Sequence, residues 1–106
     1  MSDNIPSLLD IVHAELLRAT KLHGPFASAH EGYAVLKEEA DELWDEIKKR
    51  DRDSRKMLHE AVQVAAMAIR FANDVCVERG EHSRCEVPGC PACAQLFPDT
   101  IPADPK

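Results

Sequence analysis

Apolar residues recur every three or four positions along much of residues 7–77, a spacing that predicts helices with one buried face. The first helix is predicted to begin at Ser7, a common N-cap residue, and to stop at Gly24-Pro25. A second helix is predicted after Ser28, because a serine followed three residues later by glutamate forms a capping box. Its apolar stripe continues to Ile47. Both helices are therefore predicted to place one face against a core.

A third helix is predicted from about residue 54 to about residue 77, after a short polar link that returns the chain antiparallel to the second helix. Its middle is apolar around most of its circumference and rich in alanine. Two short helices cannot cover such a surface, so burial in an oligomer is predicted. The predicted fold is all-α: an antiparallel helical hairpin or bundle of about three helices, completed as a homodimer or homotetramer.

The chain changes character after about Gly80, where five of its seven prolines lie and helical periodicity is lost. This part is predicted to be an irregular Cys/Pro-rich tail. The predicted organisation is therefore a helical domain at residues 1–79 and a tail at residues 80–106.

Composition narrows the classes of function. Aromatic residues make up 5% of the chain against 44% hydrophobic residues overall, which favours packed helices over a sheet. The formal net charge is −6 without a cluster of lysine and arginine, so binding along nucleic acid is not expected. Polar residues interrupt the most apolar stretch, so a membrane-spanning helix is not expected. The first residues lack the pattern of a secretory signal, so export is not expected. A cytoplasmic protein without a membrane partner is predicted.

Three glutamates of the second helix, Glu38, Glu39 and Glu42, share one broad face, because Glu42 is three and four residues from the other two. Like charges at this spacing destabilise a helix unless a cation offsets them. The third helix brings a further carboxylate, Glu60, into a largely apolar stretch. Carboxylates that converge from two helices form a hard oxygen site that suits Mg²⁺ or Mn²⁺. The alternative is a solvated acidic surface.

Residues 30–44 and 60–65 resemble the MazG-like all-α nucleoside triphosphate pyrophosphohydrolases, whose pattern is E-E-x-x-E on one helix and E-x-x-D on the next. The first motif is matched in full, and Glu60 opens the second. Gln63 stands where the family has aspartate. The resemblance extends over roughly residues 7–77.

The resemblance implies that Glu38, Glu42 and Glu60 are ligands of a divalent cation. Glu39 would be a further ligand or the base that activates water. The implied reaction is attack of a metal-bound water on a nucleoside triphosphate, which releases a monophosphate and pyrophosphate.

Gln63 has four interpretations: a neutral metal ligand, a substrate contact, a sign of lost activity, or an ordinary polar residue. Arg70 and Asp74 lie on the same face, seven and eleven residues on. Arg70 is a predicted phosphate contact, and Asp74 a replacement carboxylate or substrate contact, unless each forms an intersubunit ion pair. His30, beside the second capping box, either contacts a base or phosphate or is a surface residue.

The tail holds four candidate zinc ligands: His82, Cys85, Cys90 and Cys93. Thiolate and imidazole groups suit tetrahedral Zn²⁺, although only Cys90 and Cys93 have the C-x-x-C spacing of a zinc knuckle. The alternative is a flexible arm with free thiols.

Two hypotheses lead from these patterns. The first is a metal-dependent pyrophosphohydrolase of nucleoside triphosphates, with Mg²⁺ or Mn²⁺ as cofactor. The second, which Gln63 favours, is a catalytically weakened relative that serves as an oligomeric nucleotide-binding or protein-interaction module. A tail that forms a small zinc module, dimerised by the helices, is a third possibility.

Overall fold

The computed structural model of the chain describes residues 3–78 and 88–96. All regular structure within these residues is helical, which confirms the all-α prediction. The long helices are α1 (Ile5–Leu22), α2 (Ala29–Ile47) and α3 (Ser54–Phe71), and a π-helical segment (Ala72–Val77) continues α3. The third helix therefore reaches residue 77 as predicted, but its end widens into a π-helix, which apolar spacing does not reveal.

The start of α2 follows its predicted cap, whereas the start of α1 does not. Ser28 Oγ accepts a hydrogen bond from the backbone N–H of Glu31 at 3.0 Å, and the Glu31 side chain accepts one from Ala27 at 2.9 Å. The prediction of Ser7 as the N-cap of α1 was wrong, because α1 begins at Ile5 after Asn4, with a proline in the first turn. Proline suits that turn, since its missing N–H would have no helical partner there.

Helix α3 packs against both α1 and α2, most extensively against α2. Its side of the core consists of Ala66, which is fully buried, and Met67. They meet Ala19 of α1 and Phe26 of the loop between α1 and α2. Partly buried residues surround this cluster: Val12, Leu16, Val35, Leu36, Phe71 and Val75. The small side chain of Ala66 allows the helices to approach closely, so side chains on their facing sides come within reach of one another.

The loop between α1 and α2 is fastened to the end of α3. Arg70 is only 6% exposed, donates to the backbone carbonyl of Gly24 at 2.8 Å, and lies 4.4 Å from the centre of the Phe26 ring. Asp74, in the π-helical segment, accepts a hydrogen bond from the backbone N–H of Phe26 at 3.1 Å. These contacts fix the loop, and with it the position of α1 across α3.

One side of α3 carries apolar residues that the described chain leaves exposed or only partly covered. Leu58, Ala61, Ala65 and Ile69 form this α3 free face; Leu58 and Ile69 are each 45% exposed. Trp44 of α2 is likewise exposed, at 56%. None of the helices in residues 3–78 and 88–96 is long and apolar enough to cross a bilayer.

The tail departs in part from the irregular structure predicted for it. Residues Pro91–Leu96 form a short helix, α4, preceded by a turn at Pro88 and Gly89. Gly89 has a φ of 66°, in the left-handed region that glycine adopts without strain. Residues 80–87 and 97–106 lie outside the described residues, so the prediction for them is unchanged.

The close packing of α2 against the end of α3 predicts a steric requirement at Gly32. A Cβ atom at Gly32 would lie 2.7 Å from Cδ2 of Phe71 and 3.1 Å from Cδ2 of Phe26. We expect Gly32→Ala to lower the free energy of unfolding by about 1 to 3 kcal/mol, because the crowded rings must move. Urea denaturation followed by circular dichroism measures this change. Gly24→Ala is the control, since no neighbouring atom of the described residues lies within 4 Å of a Cβ there. An equal effect at both positions would contradict the packing described.

Candidate metal centre

The antiparallel packing of α2 and α3 brings three carboxylates together. One oxygen each of Glu39, Glu42 and Glu60 lies within 4.8 Å of the others. The first two side chains are one helical turn apart on α2, and the third projects from α3. This carboxylate cluster is the only group of three or more potential metal-binding side chains at such distances within residues 3–78 and 88–96.

The surroundings of the cluster disfavour its full ionisation. Burial, the charge of Glu42 and a hydrogen bond with it, and then the charges of Glu60 and Glu38, raise the pKa of Glu39 to about 7. Burial and then the Glu42 charge likewise raise the pKa of Glu60. Among the described residues, Glu60 Oε2 is fully buried without a hydrogen-bond partner. Three carboxylates in this arrangement gain most from protons or from a cation.

The donor set fits a hard divalent cation. Carboxylate oxygens from two helices are the ligands that Mg²⁺ and Mn²⁺ prefer. One oxygen of Glu60, Oε2, is buried and has no hydrogen-bond partner within residues 3–78 and 88–96, and a cation would satisfy it. Exposed acidic groups often occur without a metal, so the cluster supports a metal site without establishing one.

A cavity of about 630 Å³ adjoins the cluster, with Glu39 in its wall. Residues of α1, α2, α3 and the fastened loop line it, among them Gln63, Arg18 and Phe26. A cavity of this size accommodates a small organic ligand. A ligand in it would therefore meet Glu39 directly.

The other residues that the sequence assigned to the metal site lie near the cluster but are not part of it. Glu38 is exposed and contributes no oxygen to the cluster, although its charge helps to raise the pKa of Glu39. Gln63 is partly buried one turn after Glu60 and lies beside Glu15 of α1. Whether Glu38 or Gln63 binds metal remains a prediction.

The predicted substrate contacts are separated. His30 is exposed in the first turn of α2. Arg70 and Asp74 hold the loop between α1 and α2, and Arg70 also lines the 630 Å³ cavity. Because its guanidinium is buried against Gly24, Met67 and Phe26, a structural role accounts for its position. Their roles in substrate binding remain predictions.

The predicted zinc ligands fall mostly outside the described residues. This applies to His82 and Cys85 and to the side chain of Cys93. Cys90 is partly buried immediately before α4. The zinc site therefore remains a prediction.

The sequence analysis did not identify three acidic or basic side chains near this centre. Glu15 and Arg18 of α1 line the cavity, and Glu46 of α2 has a buried oxygen, Oε1, without a partner among the described residues. Glu46 lies four residues after Glu42, which placed it on the same face of α2. No comparable signal marks Glu15 and Arg18, since the sequence does not show which face of α1 meets α3.

Comparison of the chain with family models, with curated proteins and with solved structures gave no match.

The raised pKa of Glu39 predicts a pH dependence of stability in metal-free buffer. Its folded-state pKa of about 7 lies above the ordinary value of 4.5, so the folded state holds the proton more tightly than the unfolded state. The resulting stabilisation is present below pH 4.5 and is lost as the pH rises towards 7. We expect Glu39→Gln to become progressively more stable relative to wild type across this range.

Urea denaturation at a series of pH values measures that difference. Asp45→Asn is the matched control, because Asp45 lies on the same helix but is exposed and paired with Lys48 at 3.1 Å. If the free energy of unfolding of the wild type instead increased relative to that of Glu39→Gln as the pH rises, the cluster would not resist ionisation.

Proposed function

We propose that the chain is a metal-dependent hydrolase of nucleoside triphosphates that releases a nucleoside monophosphate and pyrophosphate. The observation that carries this proposal is the convergence of Glu39, Glu42 and Glu60, from two antiparallel helices, within 4.8 Å. The resemblance of the E-E-x-x-E run to the MazG-like enzymes provides the substrate class and reaction.

Each residue of the cluster has a role in this proposal. Glu42 and Glu60 hold the cation, and Glu60 Oε2 gains a partner in doing so. Glu39 belongs to the cluster and also lines the cavity, so its carboxylate orients the attacking water and accepts its proton. The bound cation neutralises phosphate charge and lowers the pKa of water.

The net charge of −6 is consistent with this arrangement. Acidic side chains alone repel a polyphosphate, so the protein binds one through a cation held at the carboxylate cluster. The cavity beside Glu39 then receives the remainder of the nucleotide.

A catalytically weakened nucleotide-binding module is the second candidate. The observation that favours it is Gln63, which supplies no charge one turn after Glu60. A neutral amide binds a divalent cation less tightly than a carboxylate does. This candidate retains the metal and the nucleotide but lacks turnover.

We further propose that a second copy of the chain covers the α3 free face. Its four residues are apolar, and the alanines at positions 61 and 65 permit close approach of another helix. The same face on a second copy, related by a twofold axis, provides the complementary surface. The functional unit is then a homodimer or a homotetramer built from dimers.

Pyrophosphate release tests the enzymatic proposal. We expect the wild-type chain with Mg²⁺ or Mn²⁺ to release pyrophosphate from at least one member of a panel of NTPs and dNTPs. Glu39→Gln and Glu60→Gln should each abolish the activity, because each removes a charge from the cluster. Asp41→Asn should retain the activity. Asp41 belongs to the same acidic run, but it is not part of the cluster and accepts a hydrogen bond from Lys37 at 2.8 Å.

The possible outcomes separate the two candidates. Tight binding of Mn²⁺ and nucleotide without turnover of any substrate would favour the weakened module. Activity that survives both glutamate substitutions would eliminate the carboxylate cluster as the catalytic site.

Sedimentation analysis tests the assembly. We expect the wild-type chain to sediment as a dimer or larger species, and Leu58→Glu and Ile69→Glu to dissociate it, since each buries a charge in an apolar contact. Tyr33→Glu is the control, because Tyr33 is an exposed large side chain on a different helix. A wild-type chain that remains monomeric at all concentrations would contradict the proposal.

A further inference from the structure

We propose that Arg18 is the phosphate-binding residue of the cavity beside Glu39, and that Glu15 positions it. The ligand class is the polyphosphate chain of a metal-bound nucleotide. The inference rests on the proposed function, and it assigns to α1 a role in substrate binding that the acidic motifs do not contain.

Glu15 holds the Arg18 side chain in one orientation. Arg18 Nε donates to Glu15 Oε1 at 2.8 Å, and Arg18 Nη2 donates to Glu15 Oε2 at 2.5 Å. This forked pairing fixes the plane of the guanidinium group as well as its position. The Glu15 side chain is only 13% exposed, whereas that of Arg18 is 58% exposed. The Glu15 carboxylate is thus held by the surrounding protein, whereas the Arg18 side chain faces solvent.

Arg18 retains the capacity to bind an anion. An arginine side chain has five N–H donors, of which Glu15 uses two. The remaining three can meet phosphate oxygens, for which the geometry of the guanidinium group is well suited. The pairing with Glu15 thus orients Arg18 and leaves three of its N–H donors available.

The cavity places Arg18 and the carboxylate cluster beside the same ligand. Arg18, Glu15 and Gln63 line the cavity together with Glu39. A polyphosphate held at the cluster through a cation can therefore extend along the cavity towards Arg18. Arg70 lines the cavity as well, but its guanidinium is buried against Gly24, Met67 and Phe26. Arg18 is the more accessible cation of the two.

The neutral side chain at position 63 is compatible with this arrangement. The pKa of the Glu15 carboxyl is lowered by its hydrogen bond with Arg18 and, more weakly, by a hydrogen bond with Gln63. An aspartate at position 63 would instead place a second negative charge beside Glu15 and raise the pKa of its carboxyl. Gln63 therefore helps to keep Glu15 ionised and paired with Arg18.

Binding of inorganic tripolyphosphate to the full chain tests the inference. Calorimetry first measures the Mn²⁺ affinity of the protein alone and then the tripolyphosphate affinity at saturating Mn²⁺. We expect Arg18→Gln to weaken tripolyphosphate binding about tenfold, a loss of about 1.4 kcal/mol, without reducing Mn²⁺ affinity. Lys48→Gln is the matched control: it removes one positive charge from an exposed pair with Asp45, three residues away, and it lies outside the cavity lining.

A double-mutant cycle tests the positioning role of Glu15. We expect Glu15→Gln to weaken tripolyphosphate binding when Arg18 is present and not when Arg18 is replaced by glutamine. If Glu15 acted only through its negative charge, Glu15→Gln would strengthen binding in both backgrounds, and that result would refute the positioning role.

The failures of the two proposals have different signatures. A wild-type chain that binds no Mn²⁺ would refute the metal centre and with it the proposed function. Two other results would refute the role of Arg18 but leave the metal centre intact. In the first, the chain binds Mn²⁺ and binds tripolyphosphate equally well with and without Arg18. In the second, it binds Mn²⁺ but no tripolyphosphate.

Discussion

The repulsion among three carboxylates is the constraint on which the candidate site depends. Packing of α2 against α3 holds oxygens of Glu39, Glu42 and Glu60 within 4.8 Å, and burial reduces the solvation of Glu39 and Glu60. A surface cluster would separate to relieve this repulsion, but these side chains originate on two helices joined through a common core. The helices therefore hold the cluster in a form that a cation or protons can stabilise.

A second constraint fixes α1, which completes the cavity. Arg70 and Asp74 both lie at the end of α3, and both bind the loop that connects α1 to α2. The π-helical segment contains Asp74, and a π-turn displaces side chains from the positions they would have in an α-helix. The loop contacts act together with the packing of α1 against α3 to position α1, which carries Arg18.

The sequence predicted the helices well and the site only in part, for identifiable physical reasons. Caps such as Ser28 are local, so their chemistry can be recognised without knowledge of the fold. The i,i+3 pair Glu39 and Glu42 is also local, and the short link to α3 was sufficient to place Glu60 opposite them. Glu15 could not be found this way, because its relation to Gln63 depends on how α1 crosses α3. Arg70 illustrates the converse limit: its helical face does not reveal that its guanidinium is buried against Gly24, Met67 and Phe26.

The same geometry changes the meaning of Gln63. In the motif alone, glutamine in place of aspartate is a missing charge, and loss of activity is the direct interpretation. In the structure, the carboxylate of Glu15 in α1 lies beside Gln63 and is paired with Arg18. An additional carboxylate there would place a second negative charge beside Glu15 and, under the proposed function, would repel the phosphates of a nucleotide. The neutral amide of Gln63 avoids both effects, and its carbonyl oxygen can still bind a cation or accept a hydrogen bond. The departure from the motif is thus consistent with a binding site whose charges are distributed over three helices instead of two.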